Sequence, residues 1–132
     1  MTVSYLDTSA AFKLILPETE SDALAHHVAH RRTLLSSALL TVELRCATDR
    51  IGHRALPPAA VDRLFRMCDI VSIDDRVIQR ATEPFDPPQR SLDAIHLATA
   101  IRLDIPELEF CSYDRDQLKA AKAAGLRCVS PR

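Results

Sequence analysis

Tryptophan is missing from this 132-residue chain, and glycine occurs only twice, at Gly52 and Gly125. So little glycine excludes the loops that cradle nucleotide phosphates. Neither GxGxxG nor GxxxxGK[ST] occurs, which removes dinucleotide-dependent and P-loop chemistry. Aromatic residues make up only 5% of the chain, so Leu, Ala, Val and Ile must do the packing, an economy that suits helices laid on a small sheet. The four cysteines, Cys46, Cys68, Cys111 and Cys128, form no CxxC pair. Their apolar surroundings predict buried thiols in a reducing cytosol. No run approaches the ~20 apolar residues of a membrane helix, and Asp7 interrupts the N-terminal apolar run too early for a signal peptide. Internal repeats and low-complexity segments are also missing.

What is present is enough for one ordinary core, so residues 1–132 are expected to form a single domain. At 47% hydrophobic the chain should be globular. Short apolar runs alternate with helical patterns. Strands are expected at 3–6, 34–37, 70–73, 108–111 and 127–129. Helices are expected from Thr8 to Leu16, stopped by Pro17, and over about 18–31 and 39–52, the latter ending near Gly52. Another opens at Leu56-Pro57-Pro58, a short one at Asp74, and two more span 92–103 and 116–124. Prolines make 84–90 a loop, and the helix at 92–103 is apolar nearly all round and should be buried. This alternation predicts a three-layer α/β/α sandwich on a central, mainly parallel sheet.

Four carboxylates stand at strand ends or on the following helix: Asp7, Glu43, Asp93 and Asp114. In a parallel sheet the carboxyl ends of the strands share one edge, so these acids can converge. Each pair would then repel by about 4 kcal/mol at ~4 Å and an effective dielectric near 20. A divalent cation would relieve that repulsion, which makes metal-assisted phosphodiester chemistry the leading function. With four acids committed to a cation, the rest of the chain carries +3 instead of −1, a balance suited to a polyanionic substrate.

Each acid also has a plainer explanation. Glu43 is flanked on one helical stripe by Leu39, Leu40, Cys46 and Ala47, where a carboxylate needs a salt bridge or a metal. Asp7 suits a helix N-cap, although Thr8 and Ser9 are also available as caps. Asp93 suits the first turn of its helix, where the dipole favours an acid. Of Asp114 and Asp116, one can cap a helix while the other binds metal. Asp74-Asp75 reads as a helix start. Glu18, Glu20, Asp22, Asp62, Glu107 and Glu109 read as solvated. His26, His27 and His30 read as a solvated helix face, and His96 as a hydrogen-bonded core histidine. Arg50 and Arg54 continue the Glu43 stripe and are candidates to touch phosphates. Thr8, Ser9 and Ser112 are candidates to orient a metal-bound water.

Four segments in order, Leu6-Asp7-Thr8-Ser9-Ala10, Val42-Glu43-Leu44, Ser91-Leu92-Asp93-Ala94-Ile95-His96-Leu97-Ala98-Thr99-Ala100 and Ser112-Tyr113-Asp114-Arg115-Asp116, resemble the PIN-domain ribonucleases. Size and motif order are similar to the VapC-type toxins of bacterial toxin–antitoxin pairs. The resemblance implies a Rossmann-like PIN fold and selective endoribonucleolytic cleavage of RNA. It also implies homodimerisation and inhibition by a small cognate antitoxin. Position by position it assigns catalysis and metal binding to Asp7, Glu43, Asp93 and Asp114, with Asp116 as a further ligand. Hard oxygen ligands suit Mg²⁺ or Mn²⁺ better than Zn²⁺. One alternative is a catalytically inactive module that grips a partner's arginine in the acidic pocket, a use that needs fewer fixed acids. Another is phosphoryl transfer through Asp7 as nucleophile, which wants a second acid at position 9, where Ser stands.

Overall fold

A computed structural model describes residues 2–30 and 33–132. Five strands form one all-parallel sheet in the order β3-β2-β1-β4-β5. They are β1 (Val3–Leu6), β2 (Thr33–Ser37), β3 (Cys68–Val71), β4 (Glu109–Cys111) and β5 (Arg127–Val129). Helices α1 (Thr8–Ile15) and α2 (Ser21–Ala29) join β1 to β2. Helices α3 (Ala38–Ile51) and α4 (Pro58–Met67) lead to β3, α5 (Asp75–Thr82) and α6 (Ser91–Leu103) to β4, and α7 (Arg115–Ala123) to β5.

The sheet's period of two sorts the core. Val3, Tyr5, Leu35 and Phe110 face α6 and α7, meeting Leu97, Ala100, Ala120 and Ala121. Leu6, Leu34 and Cys111 face the other way, onto Ala10 of α1 and Leu24 of α2. The scarce aromatics are concentrated, with Tyr5 and Phe110 stacked at 5.5 Å between ring centroids. A third cluster, built on Leu40, Leu44, Val61 and Leu64, ties α3 and α4 to Ala11 of α1. Gly52 ends α3 at φ +102, a conformation that disfavours a Cβ.

The expected elements all occur, with shifted bounds. Helix α2 ends at Ala29, and residue 31 of the expected 18–31 lies outside the described residues. The third strand is displaced from 70–73 to Cys68–Val71, because pairing with β2 sets Leu34 opposite Cys68 and Ser37 opposite Val71. As an edge strand β3 buries only Cys68, so its apolar pattern did not mark its start. Two of the four thiols are buried, Cys68 and Cys111. Cys46 is exposed, contrary to expectation, because the inward stripe of α3 runs Leu40, Leu44, Ala47, Thr48. Thr48 joins that stripe by returning its hydroxyl to the Leu44 carbonyl at 3.0 Å.

Three acids at strand ends cap the next helix: Asp7 for α1, Asp74 for α5 and Asp114 for α7. The α1 cap is therefore Asp7, and neither Thr8 nor Ser9. Asp74 follows the edge strand, two strands and roughly 10 Å from β1. Among the described residues its side chain acts as a cap alone, accepting from the Val77 N–H at 2.9 Å. Asp74→Ala should cost about 1 kcal/mol in urea unfolding and leave the acids beyond β1 and β4 undisturbed.

Candidate active site

The strand order reverses at β1: the connection from β1 to β2 crosses one face of the sheet and the connection from β3 to β4 crosses the other. The carboxyl ends of β1 and β4 open a crevice there. Asp7 closes β1 at this point and is 3% exposed. One of its oxygens, Oδ1, accepts from the Ala10 N–H at 2.9 Å and the Ser9 hydroxyl at 2.7 Å. The other, Oδ2, accepts from the Ser112 hydroxyl across the crevice at 2.7 Å. Burial pushes the Asp7 carboxyl above its ordinary range, while these three donors and the nearby His96 pull it back.

Ser112, just past β4, also accepts from the Asp114 N–H at 3.1 Å and lies 3.0 Å from the amide oxygen of buried Gln117. The Gln117 amide nitrogen reaches the Asp93 carbonyl at 3.4 Å, so one chain of polar contacts links β1, α7 and α6. Asp93 lies in the first turn of α6. Its carboxyl is raised by burial first, and then by repulsion from Asp114 and Glu43. With Pro88, Gln89, Arg90, Asp114 and Asp116 it lines a cavity of about 270 Å³. Asp114 accepts from the Gln117 N–H through Oδ1 at 3.0 Å, and Asp116 is exposed at the rim. A cavity of similar size, about 280 Å³, lies towards the amino ends of β4 and β5, lined by Asp104, Ile105, Glu107, Leu108 and Arg127. Strand-end acids do not converge there.

Glu43 sits at the margin of the buried stripe of α3. Its Oε1 takes two donors, the Thr8 hydroxyl at 2.7 Å and His96 Nε2 at 2.8 Å. His96, 1% exposed, has Tyr5 Oη 2.7 Å from its Nδ1. Burial drives the Tyr5 phenol well above its ordinary range, so it stays protonated. The Tyr5 hydroxyl can then donate to Nδ1 and leave the ring proton on Nε2, aimed at the carboxylate.

Residues 4–123 match the family model for the PIN domain. Ribonuclease VapC46 of Mycobacterium tuberculosis is 38% identical over 131 residues, 99% of each chain. The chain belongs to the PIN-domain family, among the VapC ribonucleases. Ribonuclease VapC35 of the same organism is 40% identical over 131 residues, 96% of each chain. In structure this PIN domain superposes on VapBC2 from Rickettsia felis, solved bound to a DNA fragment from their promoter. The TM-score is 0.77 over 98% of this chain and 99% of that one, at 11% identity, which speaks for the fold alone.

The fold thus brings Asp93, Asp114 and Asp116 to one cavity, links buried Asp7 to Asp114 through Ser112, and sets Glu43 near Asp93. Arg50 and Arg54 are exposed on and just after α3. Among the described residues no three His, Cys, Asp or Glu side chains are grouped closely enough to clasp an ion as they stand. The donor set still fits a hard cation. Asp93 makes no described side-chain hydrogen bond, Oε2 of Glu43 and Oδ2 of Asp114 are likewise uncommitted among the described residues, and the acids repel one another.

One participant lay outside the sequence expectations, and a second took a partner they did not name. Gln117 is buried and joins Ser112 to Asp93, and its signal was its place three residues after the capping Asp114. His96 is the hydrogen-bonded core histidine that was expected, yet its partner is Glu43. The signal was its place one turn beyond Asp93. Glu109 was read as solvated and is fully buried, with the Ser4 hydroxyl and His27 Nε2 each 2.6 Å from Oε2. His27 is thus partly buried against Glu109 and does not belong to a solvated face. Glu20, also read as solvated, is half-buried against Lys13 at 2.7 Å.

Proposed function

We propose that this chain is a metal-dependent endoribonuclease, the toxin of a toxin–antitoxin pair, acting as a single domain over residues 1–132. One observation carries the reading: Asp93 of α6 is repelled by Asp114 after β4 and Glu43 of α3, with the β1 acid Asp7 tied to Asp114 through Ser112, in a chain that matches ribonucleases over nearly its whole length. Asp7, Glu43, Asp93 and Asp114 hold Mg²⁺ or Mn²⁺, with Asp116 at the rim. Bound there, the cation supplies an activated water and neutralises charge at the scissile phosphate. Ser9 and Ser112 fix the Asp7 carboxylate, and Thr8 fixes Glu43. Arg50 and Arg54 contact the RNA backbone.

Exposed apolar side chains at Val42 on α3, Met67 on α4 and Ile70 on β3 are available to a second copy or to a small antitoxin. Among the described residues no helix is long and apolar enough to cross a membrane, and the thiols carry no disulfide. Both fit a cytoplasmic site of action. The arginine-gripping module is disfavoured, because four acids held in separate places exceed what one guanidinium needs.

Purified protein should cut RNA with Mn²⁺ and lose all cutting in excess chelator, with recovery on re-addition of the ion. Cutting that survives chelation refutes the metal scheme. No cutting of any RNA, together with no Mn²⁺ heat in calorimetry, favours the module.

A further inference from the structure

We propose that His96, braced by Tyr5 and Thr8, is a positioning residue that locks the Glu43 carboxylate with Oε2 turned toward the acidic crevice. The consequence for metal binding rests on the nuclease reading above; the positioning itself does not.

A glutamate at the margin of a helix stripe has three rotatable bonds and ordinarily samples several orientations. Glu43 is restrained at Oε1 by two donors from separate elements. One is the Thr8 hydroxyl at 2.7 Å, and the other is His96 Nε2 at 2.8 Å. Thr8 adjoins Asp7, so the turn that places the β1 acid also braces the α3 acid. Thr8 Oγ1 and His96 Nε2 are themselves 3.0 Å apart, which closes a three-cornered contact.

The imidazole is fixed in turn. Nε2 faces an acceptor-only carboxylate and must carry a hydrogen there. Tyr5 Oη meets Nδ1 at 2.7 Å, and the Tyr5 ring is itself held by stacking on Phe110. The line Phe110, Tyr5, His96, Glu43 therefore runs from the centre of the sheet to the edge of the crevice. With Oε1 committed inward, Oε2 has no hydrogen bond among the described residues and is the oxygen left for a cation. A buried histidine placed only to fill space would need neither partner.

The test uses the full-length chain and three variants, His96→Ala, His96→Gln and Tyr5→Phe. Gln offers an amide N–H near the position of Nε2. Tyr5→Phe keeps the ring stack and removes only the hydroxyl, so it remains informative if His96→Ala fails to fold. In metal-free protein, side-chain NMR of Glu43 should show one rotamer in wild type, averaging in His96→Ala, partial averaging in Tyr5→Phe, and recovery in His96→Gln. Mn²⁺ calorimetry should show affinity falling about 10- to 100-fold in His96→Ala, as for other residues that orient a metal ligand. Most of that loss should return in His96→Gln. RNA cleavage should lose kcat with KM little changed.

A Glu43 side chain that stays fixed in both His96→Ala and Tyr5→Phe overturns the proposal. Equal losses in His96→Ala and His96→Gln do so too, because they would mark the ring as filler. If wild type itself binds no Mn²⁺ and cuts no RNA, the nuclease reading falls, and the NMR of Glu43 still decides the positioning.

Discussion

Asp93→Asn is expected to abolish RNA cleavage and, in the same protein, to raise the melting temperature of the metal-free form. Both effects have one cause. Asp93 is partly buried beside Asp114 and Glu43, and their repulsion adds to burial in raising its carboxyl above the ordinary range. Asn keeps the shape and removes the charge. The metal-free fold then sheds a repulsive centre, a gain of about 1 kcal/mol or roughly 3–5 °C in Tm. On the metal scheme proposed above the reaction also loses a ligand to the cation, for which a loss on the order of a thousandfold in kcat, about 4 kcal/mol, is expected.

The pH dependence has a definite sign. A carboxyl raised in the folded state adds stability that is complete below its unfolded pKa and is lost as pH climbs through the raised folded value. Metal-free wild type should therefore lose that contribution as pH rises from acid towards neutral, and Asp93→Asn should lose less. Scanning calorimetry at several pH values, with and without Mn²⁺, measures both. An Asn variant that melts below wild type without metal, or that cuts at the wild-type rate, would sink this account.

Glu109→Ala is expected to be the most destabilising single substitution at a charged position, while sparing the chemistry. Glu109 is fully buried on the sheet face that meets α2, 2.6 Å from both the Ser4 hydroxyl and His27 Nε2. Its neighbours in register are the central strand β1 and the edge strand β5. Truncation takes the acceptor Oε2 away from buried Ser4 and partly buried His27. Breaking a buried pair in this way costs about 3–5 kcal/mol, a large part of the roughly 5–15 kcal/mol that holds a domain together.

Ser4, opposite Glu109 in the β1–β4 ladder, lies three residues and about 10 Å before Asp7 along β1. At a temperature where Glu109→Ala is still folded, cleavage should stay within about twofold of wild type, given the ~10 Å that separates it from the β1 acid. Urea titration and a cleavage assay on one preparation check both halves. A stability loss below about 1 kcal/mol would mean the cluster is solvated and replaceable.

Asp7 and Asp114 show how far local reading reaches. Each was legible both as a helix cap and as a metal-site acid, and the structure gives each the cap geometry at a position on the crevice. Asp74 satisfies the same local rule and stands apart, because strand order puts β3 at the sheet's edge. Glu43 was legible as an acid on an apolar stripe, yet the stripe was misplaced by one residue type: Thr48 is in and Cys46 is out. A hydroxyl that returns its hydrogen bond to its own helix is nearly as easy to bury as a methyl group, and hydropathy alone does not register that.

Glu109 was misread because a lone charge in a three-residue strand looks like the outward half of an alternation. Two of its partners, Ser4 and His27, are 105 and 82 residues away. By itself the sequence determined the alternating α/β order, the family motifs and which acids stand at strand ends. These are set by local periodicity, capping and spacing, which act over a turn or a strand. Only the tertiary structure decided which of those acids share a crevice, which acid is buried for stability, and that His96 braces Glu43. Those outcomes depend on strand order and on hydrogen bonds between distant segments, and no local pattern encodes either.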